Sequence, residues 1–448
     1  MKGDIRAKAV MRLPPFTAVQ KEDLDVRRSH PDDPRMGSNG RVVVIGGGAA
    51  GFFGAIAAAE MGARDVLILE KSPELLTKVR ISGGGRCNVT HGCFEPRDLV
   101  NGYPRGNRSL IGPFHRWQAS DTVEWFAKNG VELKTEEDGR MFPVTDDSQT
   151  VIECLTQAAR QHGVTWRTRC GVVAVKAQVN GGFLVETELG EEIEARCVLI
   201  STGGIRSGGA RKPVDSVGHA ISSPVPSLFT FKIADARLEG LQGVSVPNAT
   251  VRAGTWELSG PLLVTHWGLS GPATLKVSAW GARDLADCGY EFELRVNWTG
   301  KFGPDKLGEL LANERQQHGA RKVMRNSIVE GITKRLWQRL CAAAGIDEER
   351  TWSTITKEES RRLVGELGDG RYAVRGKSLN KDEFVTCGGV HLRDVNLKTM
   401  ESKLTPGVFF AGEVLDIDGV TGGFNFQAAW TTGRIAGEAM ALDCGAIR

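Results

Sequence analysis

The stretch from Arg41 to Lys71, RVVVIGGGAAGFFGAIAAAEMGARDVLILEK, constrains this chain more than any other. Val42 to Ile45 is a short β-branched apolar run bounded by glycine, the pattern of a strand buried on both faces of a parallel sheet. Gly46, Gly48 and Gly51 follow in G-x-G-x-x-G spacing. From Ala49 onward, Ala55, Ala57, Ala58 and Ala59 predict a helix thin enough to lie close against that sheet, ended by Gly62. Val66 to Leu69 then returns as a second strand. Gly46 permits the tight turn, Gly48 lets a pyrophosphate reach the backbone at the helix N-terminus, and Gly51 allows close helix–strand packing. Glu70 lies 70 − 51 = 19 residues past the last glycine, where a carboxylate accepts hydrogen bonds from a ribose diol. Glycine turns without a ligand are common, but they need no acid at the end of the next strand. A ribose without a 2′-phosphate points to FAD or NAD rather than NADP.

The rest of the composition narrows the field. At 448 residues two to three domains are expected. The net charge of only +3 gives no broad footprint for nucleic acid, so none is expected as a partner. Nine scattered cysteines without a C-x-x-C pair suggest neither a disulfide framework nor a zinc ribbon. The eight histidines form no H-x-H or H-x-x-x-H pair, and no metal is expected. No apolar run reaches the roughly 18 residues that span a bilayer, so no membrane partner is expected. Residues 1–40 are charged and proline-containing with little apolar periodicity, and read as a disordered extension. The chain reads as cytoplasmic, or as organellar if residues 1–40 are a transit peptide. Oligomeric state is not legible.

Three later segments select flavin. ARCVLISTGG (195–204) is an apolar strand running into Thr202, Gly203 and Gly204; GVFFAGEVLDIDG (407–419) is another, ending in Gly412, Glu413 and Asp416. Both resemble strand-end motifs of two-domain flavoproteins related to glutathione reductase and fumarate reductase. TGGFNFQAAWTTGRIAGEAMA (421–441) then predicts a helix with a glycine-rich N-terminus, and Gly433 and Gly437 permit close packing. Such an N-terminus, aimed at the flavin pyrimidine edge, stabilises the negative charge that reduction places there.

ISGGGRCNVTH (81–91) holds three consecutive glycines, then Arg86, Cys87 and Asn88. An extended backbone passing over the ring system can donate N–H groups only where side chains do not intrude. Arg86 suits a cofactor phosphate or a substrate acid, and Asn88 offers both a donor and an acceptor. Cys87 and Cys93 have five residues between them rather than the four of the superfamily's dithiols, so Cys87 reads as a packed thiol.

Together, ISGGGRCNVTH, GRMFPVTDDS (139–148), VTHWGLSGPATLK (264–276), DEFVTCGGV (382–390), TMESK (399–403) and FFAGEVLDIDGVTGGFNFQAAW (409–430) resemble the BaiN/YhiN-like flavoprotein family, aminoacetone-oxidase-like FAD enzymes, from about residue 41 to the C-terminus. The resemblance implies an α/β fold: a Rossmann-like FAD-binding domain of glutathione-reductase type with an inserted β-rich domain and a nested helical subdomain. The expected bounds are 41–215 and 391–448 for the flavin domain, 216–300 for the β-rich insert, 301–370 for the helical piece and 371–390 for return strands. It implies non-covalent FAD held by Gly46, Gly48, Ala49, Ala50, Gly51, Glu70, Lys71, Lys78, Gly84, Gly85, Arg86, Cys87, Asn88, Val173, Thr202, Gly203, Gly412, Glu413, Gly423, Phe424, Asn425 and Phe426. The segment IRSGGARKPVDSVGHAI (205–221) departs from the family's longer loop here.

For chemistry the candidates are His266 and Arg140. A packing histidine and a surface ion pair with Glu136 or Asp138 would equally explain them. The function expected is an FAD-dependent oxidoreductase moving hydride through flavin N5 to or from a small organic substrate, either an activated double bond or an amine. No second G-x-G-x-x-G is present, so NAD(P)H, if it is the donor, docks transiently. The alternatives are a non-catalytic flavin scaffold or RNA-associated assembly factor, resting on the basic stretch 314–339, and third a pyridine-nucleotide disulfide reductase.

Overall fold

Strand Val42–Ile45 is wholly buried and sits in the interior of a seven-stranded sheet, because four consecutive apolar side chains can be hidden only when both sheet faces are covered. It pairs in parallel with Val66–Leu69 on one side and Cys197–Ile200 on the other, with Val42 opposite both Val66 and Cys197. Thr165–Arg167 and Val408–Phe410 extend the parallel sheet outward, and two short antiparallel strands close the edge beyond Val408–Phe410. The computed structural model describes residues 40–206, 208–378 and 385–444. The extension expected at 1–40 lies, but for Gly40, outside the described residues, as do residues 382–384 of the DEFVTCGGV motif.

The first helix, Ala49–Glu60, lies against the C-terminal helix, Phe424–Asp443, and glycine makes the approach possible. A Cβ on Gly433 would stand 2.6 Å from the Ala50 carbonyl oxygen, and one on Gly437 would stand 2.2 Å from that of Gly54. The two ends of the described chain thus complete one core.

A second sheet is antiparallel throughout, in the order Gly370–Arg375, Glu291–Asn297, Ser245–Ala253, Trp256–Thr265, Gly268–Ser270, Thr230–Lys232, Lys377–Ser378. Helices Pro304–His318, Lys334–Ala343 and Lys357–Asp369 are inserted between two of its strands and share its core through Trp298, Trp337 and Leu363. Thr356 and Glu359 cap the last of them reciprocally. The segment 205–221, read from sequence as a loop, contains helix Gly208–Ser216.

Val225–Ser227 and Val385–Cys387 pair as the outgoing and returning links. Next to them the fully buried Asp418 accepts hydrogen bonds from Arg105 Nε (2.5 Å) and Ser227 Oγ (3.0 Å), while Arg105 Nη1 donates to Ala279 O (2.6 Å). Burial raises the Asp418 carboxyl from its ordinary value and Arg105 opposes this. Removing one partner of such a pair costs about 3–5 kcal/mol, so this contact fixes how the two sheets are joined.

Candidate active site

A cavity of about 900 Å³ runs from the glycine turn of the parallel sheet to the hairpin at Thr265–Gly268 of the antiparallel one. Its first wall is the turn itself. Gly46 has φ +111°, and a Cβ there would meet Ser201 O at 2.4 Å; a Cβ on Gly51 would meet Gly46 O at 2.0 Å. Gly48 differs: it caps the first helix, and a Cβ there would meet nothing within 4 Å, so its backbone faces open space. Glu70 fixes the turn by accepting from Gly47 N–H and Ser72 N–H, one on each carboxylate oxygen at 2.7 Å. Each oxygen keeps a lone pair for a ribose hydroxyl.

The glycine run forms the next wall, but not in the extended form expected. Residues 77–81 are helical, Ser82 is extended, and the chain then turns left-handed, with φ +58°, +69° and +87° at Gly83, Gly84 and Gly85 and +61° at Cys87. Only glycine adopts three such residues in a row without strain. Gly84 faces open cavity, whereas a Cβ on Gly83 would strike the Phe142 ring at 2.8 Å. The Asn88 amide, oriented by its partners, accepts from Gly423 N–H (3.0 Å) and donates to Thr90 O (3.1 Å), tying this turn to the start of the C-terminal helix.

On the far side, Lys78 Nζ meets Glu413 Oε2 at 2.5 Å, and Glu413 Oε1 accepts from Thr386 N–H at 2.8 Å. Gly412 N–H donates to Thr432 Oγ1, and Asn425 both donates to and accepts from the Gly419 backbone at 2.9 Å. Phe426 lines the cavity and stacks on Trp430. Neither the first helix nor the C-terminal helix carries an acid in its first turn or a side-chain cap, so the free N–H groups of both N-termini favour negative charge.

Of the expected set, Gly46, Gly48, Ala49, Ala50, Glu70, Lys78, Gly84, Asn88, Thr202, Gly203, Gly412, Glu413, Gly423, Asn425 and Phe426 share this cavity with both chemical candidates, His266 and Arg140. Gly51, Lys71, Gly85, Arg86, Cys87, Val173 and Phe424 do not line it. Lys71 instead pairs with Glu188 at 2.9 Å, and Val173 is half-buried on strand Val172–Ala177. Arg86 pairs with Glu136 at 2.6 Å and lies over the Phe142 ring. Phe424 stacks on His91. Cys87 is fully buried, and burial pushes its thiol up to about 12. It is therefore not a thiolate near neutral pH, which a dithiol relay would require.

Arg140 bonds Glu136 (2.8 Å) and Asp138 (2.7 Å) while also facing the cavity. His266 is exposed at the hairpin, and Trp267 beside it is 58% exposed. Trp267, Thr230, Ser270 and Leu275 complete the cavity without having been singled out; only the VTHWGLSGP motif drew attention to this hairpin. Among the described residues no three His, Cys, Asp or Glu side chains gather as metal ligands, and no helix is long and apolar enough to cross a membrane.

The donor set fits FAD: open backbone at Gly48, Gly84 and Gly203, two uncapped helix N-termini and an acid beside the turn suit a pyrophosphate, a planar ring system and a ribose. The family model described as "HI0933-like protein Rossmann domain" matches residues 40–439. A ribosomal RNA dihydrouridine synthase of Escherichia coli (strain K12) is 30% identical over 87% of this chain and 95% of its own length. Its namesake in Haemophilus influenzae is 27% identical over 87% and 96%. A 3-dehydro-bile acid delta(4,6)-reductase of Clostridium scindens is 27% identical over 90% and 99%. With the glycine turn, the two helix N-termini and the parallel sheet in place, the chain belongs to the HI0933-like Rossmann-domain family of flavoproteins and is an FAD-dependent oxidoreductase.

Proposed function

We propose that this protein reduces a carbon–carbon double bond conjugated to a carbonyl, and that its substrate is a uridine in ribosomal RNA. The observation that carries the reading is the shape of the cavity: one end is built from the backbone of the parallel sheet and the other opens at an exposed His266–Trp267 lip on a separate sheet. A buried pocket for a free small molecule needs no aromatic side chain standing in solvent. A base drawn out of an RNA strand needs a planar apolar surface at the entrance and polar groups within.

The relatives' names support the chemistry. Dihydrouridine is uridine saturated at C5–C6, next to the C4 carbonyl, and a delta(4,6) 3-oxo compound carries double bonds conjugated to its ketone. Both reductions add a hydride to a carbon conjugated with the carbonyl and a proton elsewhere in the conjugated system. FAD, when bound, supplies the hydride, with NAD(P)H as the donor that recharges it. His266 delivers the proton from the lip, Trp267 stacks on the base, and Arg140, held by Glu136 and Asp138, stands as the cationic partner for a substrate carbonyl or phosphate.

The test is anaerobic. The flavin is reduced with NADH or NADPH, then mixed with unmodified ribosomal RNA transcript or with a small conjugated enone. Return of the oxidised flavin spectrum together with dihydrouridine in the digested RNA supports the reading. Reduced flavin that survives both additions removes it.

A further inference from the structure

We propose that the outer face of helix Lys334–Ala343, with the turn packed beside it, is the surface on which the RNA strand lies while one base occupies the cavity. The proposal rests on the reading of uridine in RNA as substrate.

The helix buries Leu336, Trp337, Leu340 and Cys341, which leaves Lys334, Arg335 and Arg339 in solvent. The turn Val323–Arg325 runs along it, held by Trp337 Nε1 donating to Val323 O (2.8 Å) and Gln338 Nε2 to Met324 O (3.4 Å), and adds Arg325 to the same neighbourhood. Among the described residues Arg325, Lys334, Arg335 and Arg339 have no acidic partner within ion-pair distance, unlike Lys322 beside them, which pairs with Glu349 at 2.6 Å. The acids on the adjoining loops are Glu239, Glu330 and, after the helix, Asp347, Glu348 and Glu349; Glu349 pairs with Lys322 and Asp347 with Arg350, so the four cations outnumber the acids left over.

The face is also joined to the cavity. Arg335 donates to Gly240 O, in the loop that follows strand Thr230–Lys232. Three residues on, Gly243 N–H donates to Val264 O (2.9 Å), and Val264 leads into Thr265, His266 and Trp267 at the cavity lip. The two three-residue stretches of this path, Gly240 to Gly243 and Val264 to Trp267, span at most about 11 Å each. Lys232 stands over the Trp267 ring at 5.6 Å, which places another cation at the lip. The total charge of the chain conceals this arrangement because phosphate recognition depends on local clusters and not on the sum.

The test compares the FAD-loaded protein with a variant carrying Arg325→Gln, Lys334→Gln and Arg339→Gln, and with a second carrying Arg325→Lys and Arg339→Lys. Binding of unmodified ribosomal RNA transcript is measured across a salt series. The glutamine variant is expected to bind at least tenfold more weakly, with the slope of log K against log salt shallower by about 2. FAD content, melting temperature and turnover of a small enone should not change, and the lysine variant should bind as wild type. Wild-type affinity and slope in the glutamine variant would overturn the proposal. So would retention of phosphatidylglycerol vesicles without retention of RNA, which would make this a membrane-facing surface. RNA binding lost as expected, with no dihydrouridine formed by any variant, would uphold the docking face and remove the reductase reading. Dihydrouridine formed equally well by both proteins at limiting RNA would do the reverse.

Discussion

Lys78 and Glu413 meet at 2.5 Å across the cavity although 335 positions separate them in the chain. The contact joins the helix after the second strand to the strand end that follows Val408–Phe410, and both residues line the cavity. A charge-assisted hydrogen bond contributes about 1.5–3 kcal/mol. Lys78→Met is therefore expected to weaken FAD binding about tenfold or more, measured by flavin fluorescence titration of the apoprotein. Adding Glu413→Gln to Lys78→Met should cost less than the sum of the two single changes.

Gly48 and Gly51 should separate cofactor binding from folding. A methyl at Gly51 would stand 2.0 Å from a backbone oxygen and must push the first helix off the sheet. A methyl at Gly48 meets no protein atom within 4 Å, yet it occupies the space through which a phosphate approaches. Gly51→Ala should lower the melting temperature of the apoprotein. Gly48→Ala should leave that temperature unchanged and reduce the FAD content of the purified protein.

Cys87→Ser should keep FAD bound and turn over at a similar rate. Burial raises the thiol from 9.0 to about 12, so the folded state holds its proton more tightly than the unfolded chain. The stabilisation this gives is fully present below about pH 9 and is lost as pH rises toward 12. Serine removes that alkaline dependence, which denaturant melts between pH 8 and 11 would detect. Loss of electron transfer with FAD retained would instead restore a dithiol role.

His266→Ala should leave FAD content unchanged and slow the oxidative half-reaction at least tenfold in stopped-flow mixing with substrate. Trp267→Ala is expected to act on KM instead, by about 5- to 150-fold for a lost base-stacking contact of 1–3 kcal/mol, with Trp267→Phe close to wild type. A histidine that merely closes the Thr265–Gly268 hairpin would change neither rate.

The parts of the site legible in sequence are those whose physics is local. Val42–Ile45, Ala49–Glu60 and Val66–Leu69 form where the apolar runs and glycines place them, and Gly46 and Gly51 meet the close contacts their spacing implies while Gly48 faces open space. The glycine run at 83–85 was recognisable as an unusual backbone, but its left-handed form was not. That form depends on Phe142 beneath Gly83 and on Gly423 across from Asn88, both distant in sequence. Helix Gly208–Ser216 was hidden by the glycines and proline of its own segment, and its strand contact is supplied from elsewhere: Ser216 Oγ accepts from Val175 N–H at 2.9 Å. Trp267 had no signal of its own, since exposure is a property of the folded surface.

The packing of Gly433 and Gly437 against Ala50 and Gly54 has a bearing on biogenesis. At roughly 5–20 residues per second, a ribosome needs roughly 20 to 80 s to travel from the first of these helices to the last. Throughout that interval the nascent glycine-turn unit has one apolar flank without its mate. A newborn chain of this kind must be shielded or must wait loosely collapsed, and loss of helix Phe424–Asp443 would harm the glycine-turn unit as much as the region around that helix.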